Sequence, residues 1–155
     1  RRADDRGSVL ALVPAAFLVL LILAGIAVDS AAAYLGQRQL ADELAGAAND
    51  AAGAAVSRPA FYASGQVTLD PSAAATVVCQ SMAASADGNL HDVSVSIAVQ
   101  GGVIGVRATA TVDEIFGRLL PGLHRRQVSA VATAAALQGP APSPPPPADY
   151  RPVAC

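Results

Sequence analysis

The run from Gly7 to Val28 (GSVLALVPAAFLVLLILAGIAV) holds 22 consecutive residues without a charge, with Arg1, Arg2 and Arg6 before it and Asp29 directly after it. As a helix it would reach about 33 Å, enough to cross a bilayer core of about 30 Å. A chain of 155 residues cannot easily wrap such a segment in a soluble core, because it is apolar all round and has no face to give to water. Three arginines precede the span and none follows until Arg38. By the positive-inside tendency this predicts an N-terminus in the cytoplasm and everything beyond Asp29 outside it. A cleaved secretory signal competes with this reading, since Ala24, Gly25 and Ala27 supply small residues near a potential cleavage point. Signal cores run to about 7–15 residues, however, and this stretch is longer and leads into a continuing helical pattern. Residues 1–6 therefore read as a cytoplasmic N-terminus and 7–28 as a transmembrane helix.

The helical signal does not stop at the membrane. Residues Asp29 to Val56 contain no Pro, are dominated by Ala, and place Arg38 and Asp42 four apart, where opposite charges meet on a helix. One helix from about Gly7 to about Val56 is expected, ending ahead of Pro59 because proline disfavours helical geometry in its predecessor. At roughly 75 Å its outer half, an extracytoplasmic extension over residues 29–57, needs a surface to lie against. Ala47, Ala51 and Ala55 recur every four residues, with Gly46 and Gly53 nearby. That spacing permits close approach of another element, and it is equally what an Ala-rich helix of good propensity shows with no dedicated packing face.

Beyond Pro59 the pattern predicts a small α+β domain over residues 58–138. Asp70-Pro71 is a capping residue followed by a first-turn proline, opening a second helix that should end near Ala86, where Asp87-Gly88-Asn89 reads as a turn. Val93, Val95, Ile97 and Val99 then alternate with polar or small residues, the period of a half-buried strand. Gly101-Gly102 supplies a two-residue hairpin turn, and the return strand puts Ile104, Val106, Ala108, Ala110 and Val112 on one face. Ile115 to Leu123 (IFGRLLPGL) interrupts the alternation and reads as an apolar connection. Arg126 to Leu137 suits either an Ala-rich helix or a strand. A strand is preferred, because a two-stranded ribbon is marginal alone and a third strand completes a sheet able to cover the long helix. Residues 139–155 form a proline-rich tail, expected to be extended and without a fixed fold.

Chemistry finds little support in this composition. The hydrophobic share of 53% is mostly Ala and Val, with three Phe, three Tyr and no Trp, so large side chains for a shaped pocket are scarce. Net charge is −2 and Lys is absent, which argues against nucleic acid as a partner. His91 and His124 have no partners at metal-ligand spacing, and Asp87, Asn89 and Asp92 fit a turn rather than a calcium loop. No nucleophile elbow, zinc motif or phosphate-binding loop occurs. No catalytic residue, cofactor site or metal site is expected. Cys79 and Cys155 would lie in oxidising conditions outside the cytoplasm, permitting a disulfide that clips the tail to the second helix. Cys79 as a buried thiol beside Val78 and Met82, with Cys155 bridging another subunit, stays open as an alternative.

The order of these elements, and the residues themselves, resemble the TadE/TadG-like proteins of the tight-adherence (Tad/Flp) type IV pilus system. The features that carry the resemblance are Asp5, Arg6 and Gly7 at the start, the apolar span, Asp29 just after it, Tyr34 and Arg38, then Leu40 and the Ala-rich helix with Ala47 and Ala51. Later, VIGVRATATVDEIFGRLLP and VSAVATAAAL are similar to the strands and apolar link of that family, so the resemblance covers residues 4 to about 137. It implies an α+β, pilin-like fold in which the long N-terminal transmembrane helix packs on a small three-stranded antiparallel sheet, with a second short helix. It further implies a non-enzymatic minor pilin or pseudopilin that assembles with other pilin-like subunits and the Tad membrane platform. Asp5, Gly7, Asp29, Tyr34, Arg38, Ala47 and Ala51 would then serve assembly and helix packing. The implied location is the bacterial cytoplasmic membrane or a surface filament. The alternative function is a membrane-anchored extracytoplasmic binding or adhesion module that never enters a filament.

Overall fold

The computed structural model describes residues 6–85, 90–117, 125–136 and 147–155, with side chains described from residue 12 onward. The fold is α+β. Helix α1 runs unbroken through Arg6–Ala54, 49 residues, and passes through Pro14 without ending. Two shorter helices follow, α2 at Arg58–Ser64 and α3 at Pro71–Ala84. Strands β1 (Leu90–Gln100), β2 (Val103–Asp113), β3 (Arg125–Ala135) and β4 (Arg151–Val153) form one antiparallel sheet in the order β3-β2-β1-β4.

Local chemistry accounts for the boundaries. Asp70 caps α3 by accepting from the Ser72 and Ala73 amides at 2.8 and 3.1 Å, and Pro71 occupies the first turn, where a missing N–H costs nothing. The β1–β2 hairpin closes over Gly101-Gly102, with Gly101 at φ +60, a value a side-chain-bearing residue rarely adopts. The core forms between the inner face of the sheet and the outer part of α1, with α3 at its side: Leu40, Leu44, Ala47, Ala48, Ala51 and Ala55 meet Val78, Ala74, Val95, Ile97, Ile104 and Val106. From Gly25 through Ala33, Gly36, Leu40, Leu44, Ala47 and Ala51 buried positions on α1 recur in steps of three or four, apart from one step of eight that skips Asp29, and with Ala48 and Ala52 beside them they trace one stripe. Where the sheet comes closest the stripe narrows to glycine. A Cβ on Gly36 would sit 2.5 Å from Cγ2 of Val112.

Four features differ from the sequence expectation. The sheet has four strands rather than three, because the proline-rich tail contributes β4, whose Arg151, Pro152 and Val153 face Ile97, Ser96 and Val95 of β1. Proline is tolerated there because β4 is the edge strand. The tail residues 147–155 are accordingly ordered: buried Pro147 and the Tyr150 hydroxyl close on Gly105, and the Arg107 guanidinium stacks 4.2 Å from the Tyr150 ring. Second, Pro59 does not only end a helix but begins one. Ser57 caps α2, Pro59 sits in its first turn, and Gly65 closes it at φ 70. Third, α1 stops at Ala54, two residues before Val56, whose backbone instead bridges Leu69. Fourth, Val93 is not a core residue. Register slips between His91 and Ser94, with Asp92 at φ 52, so the alternation restarts at Val95 and Val93 stays exposed. The expected turn at Asp87-Gly88-Asn89 lies outside the described residues.

Candidate functional site at the junction of helix and sheet

Asp29, the first charged residue after the apolar span, ties that helix to the sheet. Its Oδ1 accepts the backbone N–H groups of Ile115 at 2.7 Å and Phe116 at 2.9 Å, and its Oδ2 accepts that of Gly117 at 2.8 Å. Three successive amides pointing at one carboxylate form an anion nest. The Phe116 amide, joined by those of Ile115 and Gly117, outweighs partial desolvation and holds the Asp29 carboxyl below the usual carboxylate range. A carboxylate so engaged is a poor proton acceptor and a good tether. One helical turn back toward the N-terminus the same link rests on glycine: a Cβ on Gly25 would meet Cγ of Phe116 at 3.2 Å. Gly25, Asp29 and Gly36 therefore share one line along α1, and the end of β2 with its following link lies along it.

A polar cluster closes the same end of the sheet. The Arg125 guanidinium, on β3, reaches Asp92 Oδ2 at 3.2 Å and Asp113 Oδ1 at 3.4 Å, and His91 Nε2 stands 3.8 Å from Asp113. Thr111 donates to the His91 carbonyl and to Asp92. These groups are partly exposed and join β1, β2 and β3 at the ends nearest Asp29 by modest surface pairs. A shallow groove between α1 and β3, lined by Tyr34, Gln37, Arg126 and Ser129, lies next to the junction.

The remaining sequence candidates are distributed along the helix. Tyr34 is exposed, and Arg38 approaches Asp42 at 4.0 Å on the solvent side. Ala47 and Ala51 are fully buried in the core cluster. Gly7 lies in the first turn of α1, while Asp5 and His124 lie outside the described residues. Cys79 on α3 and Cys155 at the end of the tail are joined by a disulfide with Cα atoms 5.1 Å apart. Among the described residues no side chain with a polar or charged group is fully buried, and no cluster of His, Cys, Asp and Glu could hold a metal. Sequence reasoning missed the other half of the junction, namely the amides of Ile115 to Gly117, Phe116 and the seats at Gly25 and Gly36. The visible signal was limited to an apolar Ile115-Phe116 pair followed by Gly117, and to an isolated acid at the end of the span.

No protein-family model, curated protein or solved structure matches this chain.

Proposed function

We propose that the chain is a non-enzymatic, pilin-like component of a Tad/Flp-type pilus, a minor pilin or pseudopilin that acts by helix packing in filament assembly or priming, or as a filament subunit. The observation that carries this reading is the division of one 49-residue helix into two kinds of surface. From Leu12 to Val28 its large apolar side chains are exposed on every side, while from Ala33 onward one stripe is sealed beneath a four-stranded sheet. An apolar half-helix projecting from a small folded head has two natural environments, a bilayer and a bundle of like helices, and a pilin-like subunit exchanges one for the other. The helix is long and apolar enough for a single-pass anchor. In this reading the N-terminus is in the cytoplasm, the sheet is outside the bacterial cytoplasmic membrane, and the partners are lipid, other pilin-like subunits and the Tad membrane platform. The Asp29 tether fixes the head at a set height and rotation on the helix, which an assembly repeating one subunit orientation requires.

Surface appendages sheared from intact cells, compared with the membrane fraction by mass spectrometry, test the proposal. Enrichment of the chain in the sheared filaments supports a subunit. Confinement to the membrane in cells that make the filament, together with normal filament assembly when the chain is deleted, favours the anchored binding module and removes the pilus role.

A further inference from the structure

We propose that the link Ile115–Gly117 is a lipid-facing wedge that sits at the boundary between headgroups and acyl chains of the bilayer crossed by α1; this rests on the membrane-anchor part of the reading above. Depth is set by the helix itself. Phe116 packs on Gly25, four residues inside Asp29, which places the ring about 6 Å below that first charge after the span. Ile115 is 60% exposed and Phe116 44%, and both extend the bare apolar surface that Ile22, Ile26 and Val28 present around them. Nothing else in the described chain covers that surface.

Backbone chemistry makes the position tenable. Non-helical backbone near hydrocarbon is tolerated only where its polar groups have partners. The three N–H groups of the link, which would otherwise face lipid, are all taken by Asp29. Just beyond them, Arg125, Asp92 and Asp113 put charge where headgroups would lie. Tyr34, exposed on α1 about 7.5 Å past Asp29, adds an amphipathic ring at the same height. An apolar tip, backbone N–H groups taken up by a carboxylate and a polar collar follow one another in the order that a bilayer interface requires.

The chain has no Trp, so single replacements report cleanly. The full chain, reconstituted in phosphatidylcholine vesicles, would carry Phe116→Trp, Leu21→Trp or Tyr62→Trp, read by emission wavelength and by quenching with lipids brominated near the headgroup or near the chain end. Phe116→Trp is expected to emit to the blue and lose most of its intensity to headgroup-proximal bromines. Leu21→Trp should respond most to the deep bromines. Tyr62→Trp, on α2 beyond the far end of α1, should respond to neither. Ile115→Trp is the second probe of the link if the Phe116 variant fails to fold. Quenching of Leu21→Trp without quenching of either link probe overturns the wedge and leaves the anchor standing. Loss of quenching at all positions overturns both. A blue shift at the link that grows with protein-to-lipid ratio and ignores bromine would assign the surface to a second copy of the chain and overturn the lipid assignment.

Discussion

The two halves of α1 are one helix built on opposite rules. Residues 12–28 carry Leu, Ile, Val and Phe on all sides and bury only Gly25, whereas residues 29–54 bury a stripe made largely of Ala, Gly and two Leu and leave charges such as Arg38, Asp42 and Asp50 outside. Size explains the difference. The sheet can lie close to the helix only where side chains are small, so the folded head uses residues that contribute little area each but allow close approach. The bare half carries large residues that no described part of the chain covers. Stability of the fold should therefore depend on the second half and hardly at all on the first.

The largest expected effect follows from that asymmetry. Leu44 is fully buried, so Leu44→Ala should cost about 2–5 kcal/mol in denaturant unfolding of the detergent-solubilised chain. Leu20→Ala, in the bare half, should change it by less than about 0.5 kcal/mol. Comparable losses at both positions would mean that the bare half packs on the head in solution and would break the comparison.

Next in size is the disulfide. It closes a separation of 76 residues and ends at Cys155, two residues past β4, a strand with only three residues of pairing to hold it. Removing it by Cys79→Ser with Cys155→Ser should cost about 2–4 kcal/mol. The loss should show first as faster hydrogen exchange at β4 and at the outer face of β1, while vesicle association through the bare half stays unchanged. Unaltered exchange at β4 would show that Tyr150 on Arg107 and Pro147 on Gly105 suffice to hold the tail.

Two glycines sharpen the comparison within the sealed half, with opposite signs. Gly36→Ala forces a methyl against Val112 and should destabilise by about 1–3 kcal/mol. Gly46→Ala meets nothing within 4 Å and should stabilise by about 0.5–1 kcal/mol through helix propensity alone. Thermal unfolding of the pair measures both, and equal signs would place the sheet elsewhere on the helix.

These contrasts also explain how much could be read from the chain. Patterns that repeat within a few residues were legible: the charge-free run and Ala-rich continuation of α1, the Asp70-Pro71 cap, and the alternation that runs from Val95 through β2. Helix α2 carried the same signature in Ser57 and Pro59, but a proline after a long helix reads first as a terminator. Strand β4 was hidden because proline-rich sequence argues against pairing, an argument that fails on an edge strand next to a cross-linked cysteine. The slip at Asp92 that turns Val93 outward leaves no local mark. The junction was illegible for a different reason: Asp29 and Phe116 are 87 residues apart, and a carboxylate that binds backbone amides selects no side-chain type for its partners.

The smallest effect is the most diagnostic of that junction. Asp29→Asn keeps one carbonyl oxygen, able to serve Ile115 and Phe116, but turns an NH2 group toward the Gly117 amide, so one of three bonds is lost and a donor faces a donor. At neutral pH the variant should show reduced protection of the Ile115 to Gly117 amides in hydrogen exchange, with the core of β2 unaffected. The pH dependence has a determined sign. Hydrogen bonds from Phe116, Ile115 and Gly117 lower the folded-state pKa of Asp29, so its contribution is fully present above the ordinary Asp value of about 3.9 and is lost as pH falls through the depressed folded value. Asp70, lowered chiefly by the Ser72 hydroxyl and then by the Ala73 and Ser72 amides, titrates in the same direction. It does so in both proteins and cancels in their difference. Protonation makes the Asp29 carboxyl resemble the amide of the variant, so the gap in protection between native chain and Asp29→Asn should narrow toward zero in acid. Absence of any gap already at neutral pH would mean that the link is held by Phe116 on Gly25 rather than by the carboxylate, and would move the tether from the carboxylate to the ring.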